Sequence, residues 1–206
     1  MTFLELLRTS PFEALIFLFS LVVAITVHEF AHAWSADKLG DDTPRLMGRV
    51  TLNPLSHLDP IGSLAFILVG FGWGRPVLYN PLRLLRRSDE LLIALAGPAS
   101  NLLLAILFNI LIYVQTHYGV HIFSTEILQA ASYINVLLAA FNMLPIPPLD
   151  GSAIVAYFWP EYRSMMGGQV GLIVLLVIIF SGVLGLVISP VIQVFSQLTH
   201  LFGILL

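Results

Sequence analysis

His28, Glu29 and His32 fall within one five-residue stretch, HEFAH, at the end of an apolar run. On a helix, positions four apart share a face one turn from each other. Two imidazoles so placed can grip one divalent cation, and Glu29, next to the first of them, can reach a water on it. This is the H-E-x-x-H pattern, in which the histidines bind zinc and the glutamate is the general base. A buried structural histidine pair is the competing reading. It leaves Glu29 unexplained, because an ionisable group at membrane depth is costly and functional by default.

A catalytic zinc takes three protein ligands and a water. The chain has no cysteine, so the third ligand is His, Asp or Glu. His57, Asp59, His117, His121, Asp150 and His200 are the candidates. Asp150 is the strongest on physical grounds. It follows Pro145, Pro147 and Pro148, which cannot continue a helix. Non-helical backbone at membrane depth is tolerated only against protein or a water cavity, and a carboxylate there needs a cation. The alternative is that Asp150 caps a helix starting near Ser152, which does not exclude metal binding. His57 and Asp59 read either as groups that orient the site or as the start of the next helix, with Asp59 capping ahead of Pro60. The cap is favoured. His117, His121 and His200 sit in loops or near the C-terminus, where a solvated imidazole needs no further role.

The elements that position these groups are membrane helices. Of 206 residues, 58% are hydrophobic and 10% charged, and the mean hydropathy is +0.92. Soluble domains carry roughly a quarter charged residues. The net charge of −3 gives no basic footprint for nucleic acid. Arg8 followed by an apolar run mimics a signal peptide, but cleavage after it would split the histidine cluster, so the run is read as a retained span. The first span is roughly 11–36. Residues 91–114 form a second, 126–144 a third that ends in the proline break, and 170–188 a further strong span. A short apolar half follows the break at 152–159, and 190–206 is a weaker C-terminal helix. Residues 61–73 are short for a crossing, which takes about 20 residues, and are either a tilted helix or re-entrant. Partial alternation in Thr43–Pro54 and the piece Gly74–Pro81 predict a small β element at the interface or within a protein-lined cavity.

The expectation is an all-α polytopic membrane protein with five to six transmembrane segments and a small interfacial or re-entrant β element. It is one domain over 1–206, with its motif-bearing core at about 10–159 and C-terminal helices at 168–206. If residues 61–73 are re-entrant, the cations at 38–49 and 75–87 share one face, which the positive-inside rule makes cytoplasmic.

HEFAH at the end of a first span, AGPASN (96–101) early in a middle span and NMLPIPPLDG (142–151) interrupting a later one closely resemble the site-2 protease family of intramembrane zinc metalloproteases. GRVTLNPLSHLDPIGS (48–63) and GWGRPVLYNP (72–81) resemble its short bacterial and archaeal members, which lack PDZ and CBS modules. The resemblance implies His28, His32 and Asp150 as ligands of one Zn2+ and Glu29 as the base. Asn101 and Asn142 belong to the other two motifs and are expected to contact the substrate or the oxyanion, with interhelical hydrogen bonding as their alternative. The implied activity is hydrolysis of peptide bonds within or near transmembrane segments of membrane-protein substrates, by a multi-pass protein of the cell membrane. A metal transporter and an inactive membrane scaffold are the rival functions. The 91–114 and 170–188 spans offer almost no polar path for a metal, and no catalytic residue is missing. The lipid bilayer and a transmembrane substrate are the partners implied; no sequence feature reports an oligomeric state.

Overall fold

The computed structural model describes residues 3–69, 72–120 and 123–205. His121 therefore lies outside the described residues. In chain order the helices are α1 (Phe3–Thr9), α2 (Pro11–Lys38), α3 (Thr43–Leu46), α4 (Pro60–Val69), α5 (Arg87–Tyr118), α6 (Thr125–Asn142), α7 (Gly151–Phe158), α8 (Glu161–Met166), α9 (Gln169–Phe180) and α10 (Leu184–Leu205).

Helix α5 is the centre of the bundle, packed on α2, α6 and α10. The residues buried where these helices meet are mostly small: Ala24, Ala33 and Ala36 on α2, Ala94 and Ala105 on α5, and Ala131, Ala139 and Ala140 on α6. Large side chains such as Phe12, Phe19, Leu103 and Leu107 point outward. A water-soluble bundle would bury the large groups. In lipid, helices gain nothing by hiding leucine, and they associate through the close backbone approach that small residues allow.

Among the described residues three helices are long and apolar enough to cross a membrane: α2, α5, and Leu184–Leu201 within α10. The expected five or six segments are met only in part. The predicted 170–188 span is broken, because α9 ends at Phe180 and Gly182 turns the chain at φ +76° before α10 begins. That left-handed backbone costs glycine little and other residues much.

The predicted β element does not form a strand among the described residues. Thr43–Leu46 is a helical turn with Pro44 near its start, where a fixed φ and a missing N–H favour helix over ladder. What remains is one antiparallel bridge, Leu58 with Gly74, and the Arg75 N–H donating to the His57 carbonyl at 2.7 Å. That bridge bears on residues 61–73. Helix α4 rises only about 15 Å in its ten residues, half of a hydrocarbon core. The residues flanking it, Leu58 and Gly74, are bridged to each other, so the chain comes back to where the segment began. Gly62 lets the returning chain pass, since a Cβ there would run into the Trp73 carbonyl and meet its side chain at 3.0 Å. Asp59 is the expected cap: its carboxylate accepts from the Gly62 N–H at 2.8 Å.

Candidate metal centre

His28 and His32 lie near the end of α2, both buried. About 9 Å of helix separates His32 from Lys38 at the charged end. Their rings are set by two neighbours on α5. The Asn101 side chain donates through Nδ2 to the Ala24 carbonyl at 3.1 Å and to Asn135 Oδ1 at 2.8 Å. Its Oδ1 is therefore an acceptor, and it takes the Nδ1–H of His28 at 2.7 Å. The Ile93 carbonyl, which can only accept, takes the Nδ1–H of His32 at 2.7 Å. Pro98 has no N–H to give to the Ala94 carbonyl one turn back in α5.

Both tautomers are thus assigned by the network. Each neutral ring carries its proton on Nδ1 and a bare lone pair on Nε2. The two Nε2 atoms are 3.0 Å apart, and Asp150 Oδ2 is 3.2 Å from one and 3.3 Å from the other. No hydrogen-bond donor reaches that oxygen, although it is buried. Three acceptors aimed at one point with no proton among them is an arrangement that a cation stabilises and nothing else present does. Two imidazoles and a carboxylate match the donor set and number of a catalytic zinc site. Zinc is the cofactor these residues fit.

Asp150 reaches the rings because α6 stops at Asn142. The prolines and Leu149 then carry the chain through a tight turn to Gly151, where α7 begins. The turn is anchored from behind. Leu144, Ile146 and Leu149 pack on Leu175 of α9. Asp150 occupies the cap position of α7, but its side chain makes no cap hydrogen bond. The capping alternative is therefore not realised.

A cleft of about 470 Å³ opens in front of the three ligands. Glu29, Pro76, Val77, Tyr79, Asn142 and Pro148 line it. Asn142 donates back to the Leu138 carbonyl at 3.0 Å while facing this space. Asn101 does not line it. Fully buried, with its amide engaged on both sides, it stands behind His28 rather than in front of a substrate. His57 is likewise away from the three ligands. Its Nε2–H donates to the Thr51 carbonyl at 2.7 Å, and burial pushes its pKa below the usual 6.5. His117 stacks on Tyr113 at the far end of α5.

Three participants were not singled out in the sequence. The Ile93 carbonyl is backbone and carries no sequence signal. Asn135, an amide inside an apolar span, carried the signal that intramembrane polar groups are functional by default. Arg49, which lies beside Glu29, looked like one cation of an interfacial stretch.

Residues 16–125 and 118–186 match the profile of Peptidase family M50. YwhC of Bacillus subtilis, provisionally named a zinc metalloprotease, is 38% identical over 84% of this chain and 84% of its own. Rip2 of Mycolicibacterium smegmatis, named in the same way, is 30% identical over 78% of this chain and 64% of its own. A zinc metalloprotease of Methanocaldococcus jannaschii is 26% identical over 74% of this chain and 36% of its own. No solved structure matches significantly.

Proposed function

The chain belongs to Peptidase family M50, the site-2 protease family, and from that premise we propose that it is a multi-pass intramembrane zinc endopeptidase acting on transmembrane substrates. The single observation that carries this reading is the convergence of His28 Nε2, His32 Nε2 and Asp150 Oδ2, all acceptors, at the head of a cleft that also contains Glu29.

His28, His32 and Asp150 would hold the ion. When bound, zinc supplies a water of lowered pKa and polarises the scissile carbonyl. Glu29 accepts the proton of the attacking water on a carboxylate oxygen and returns it to the leaving amine nitrogen. Asn142, at the cleft wall, is placed to donate to the substrate backbone or to the developing oxyanion. Asn101 acts through His28, holding its ring.

A substrate helix must unwind before cleavage, because its carbonyls are bonded within its own ladder. The stretch from Arg75 to Asn80 is neither helix nor strand, ends in extended backbone at Asn80, lines the cleft in part and joins no ladder among the described residues. It supports capture of the unwound segment by edge pairing. With α4 read as re-entrant, Lys38, Arg45, Arg49, Arg75, Arg83, Arg86 and Arg87 share one side, which supports a cytoplasmic position for that face in the cell membrane. All of 1–206 then works as one membrane domain.

The test is co-expression with a single-span membrane substrate. Wild type is expected to cleave it, and Glu29→Gln to lose about 10²- to 10⁴-fold in rate with zinc content unchanged. Equal cleavage by both proteins removes Glu29 from the mechanism. Cleavage by neither, across varied substrates, favours a scaffold or transporter.

A further inference from the structure

Arg49 has no place in the chemistry just described, yet it is one of the most deeply buried charged residues of the chain, 2% exposed. It lies in the loop after α3, and its guanidinium reaches down to the last turns of α2. Its Nη2 is 3.7 Å from Glu29 Oε2, donates to the Arg75 carbonyl, and lies 3.5 Å from His57 Nδ1. Its Nε is buried with no hydrogen-bond partner.

A buried guanidinium is costly unless it is paired. Among the described residues Glu29 is the one carboxylate within ion-pair distance of it. The separation is longer than the 2.7–2.9 Å or so of a charge-assisted hydrogen bond. Arg49 therefore orients the carboxylate without capping the oxygen that must take a proton.

Its own position is set from two sides. The Arg75 carbonyl holds one nitrogen. His57 donates from Nε2 to the Thr51 carbonyl, so Nδ1 carries a lone pair and faces the guanidinium. A protonated His57 would place two cations in contact, and burial together with the nearby guanidinium pushes its pKa down. The other carboxylate oxygen, Oε1, is near Gly74, where an added Cβ would lie 3.8 Å from it.

We propose that Arg49 is the positioning residue of the Glu29 carboxylate, and that neutral His57 in turn positions Arg49. The re-entrant segment thereby does more than line the cleft. By pinning Gly74 to Leu58 and Arg75 to His57, it assembles the cage in which the base is held.

The proposal rests on the endopeptidase reading, and the test separates the two. With a substrate that wild type cleaves and Glu29→Gln does not, Arg49→Met is expected to lower kcat about 10²-fold, the scale set by a misplacement of about 1 Å. KM and zinc content stay at the wild-type level. Arg49→Lys, which keeps the charge but replaces the planar guanidinium with a compact ammonium on a more flexible stem, recovers part of the loss. His57→Phe lowers kcat in the same direction, and the double variant loses less than the product of the two. A kcat for Arg49→Met within threefold of wild type overturns the proposal. So does loss of zinc in parallel with kcat, which marks a general structural role. If no substrate is cleaved by wild type, the endopeptidase reading fails, but the experimental structure of Arg49→Met still decides this one. A displaced Glu29 carboxylate supports it; a carboxylate unmoved from its wild-type position refutes it.

Discussion

Gly97→Ala sets two effects of opposite sign against each other. Gly97 is on α5 facing the metal ligands, and a Cβ there would run into His32 Nε2, its nearest neighbour, and lie 2.7 Å from both Nε2 and Cε1 of His28. Ordinary carbon contacts begin near 3.5 Å, so the deficit is about 0.8 Å against His28 and larger against His32. Either the rings turn or α5 withdraws by that amount. Withdrawal stretches the hydrogen bonds from Asn101 to His28 and from Ile93 to His32, now 2.7 Å each, to roughly 3.5 Å, where little bonding remains. Each is worth about 1 kcal/mol, and overpacking adds about 1–3 kcal/mol. Helix propensity works the other way, since alanine is better than glycine inside a helix by about 1 kcal/mol. Sterics therefore win at the site by about 2–4 kcal/mol.

The expected outcome is zinc binding weakened by at least about tenfold, measured by chelator competition and metal content, with cleavage reduced to match. Gly185→Ala is the control. It is also helical, but nothing lies within 4 Å of its added Cβ. It should leave zinc affinity unchanged and leave thermal stability equal or slightly higher. Wild-type zinc affinity in Gly97→Ala would refute the close packing of α5 on the rings, and with it the assignment of their tautomers.

Asn101→Ala leaves the Nδ1–H of His28 without its acceptor and should cost about 10- to 100-fold in zinc affinity or activity. A raised KM with unchanged zinc binding would instead restore Asn101 as a substrate contact. Leu175→Ala opens a cavity behind the 144–149 turn, in the cluster that supports Asp150. It should lower the thermal midpoint and speed zinc release, both measurable in detergent; unchanged release would show that α9 does not support the ligand. Asp41 supplies a pH test. Burial would raise its pKa, but hydrogen bonds from the Thr43 hydroxyl, the Asn80 N–H and the Thr43 N–H, with Arg83 nearby, hold it below the ordinary carboxylate range. A depressed folded pKa means stability present above the unfolded value of about 3.9 and lost as pH falls through the folded one. The gap in thermal midpoint between wild type and Asp41→Asn should be constant above about pH 5 and close below about pH 4. A gap that does not depend on pH would show that the interaction is not ionic.

The sequence by itself determined the chemistry of the site. The spacing of His28 and His32 needs only the 3.6-residue period of α2 to place both rings on one face. The prolines before Asp150 announce a broken helix wherever it packs. The cap at Asp59 was legible for the same reason: it depends on neighbours in sequence. What only the tertiary structure decided are the relations between distant segments. Asp150 and the rings are 118 or more positions apart, and they meet because α5 and α6 pack through small residues while Leu175 backs the turn. Whether 61–73 crosses depends on the Leu58–Gly74 bridge, and no local pattern encodes that pairing. The predicted strand at 43–54 failed because its alternation was borrowed by a proline-started turn and a buried arginine. The tautomers of the rings came from an asparagine and a backbone carbonyl on another helix. Residue type and period are local properties; which acceptor faces which donor across a bundle is a property of packing, and it exists only once the chain has folded.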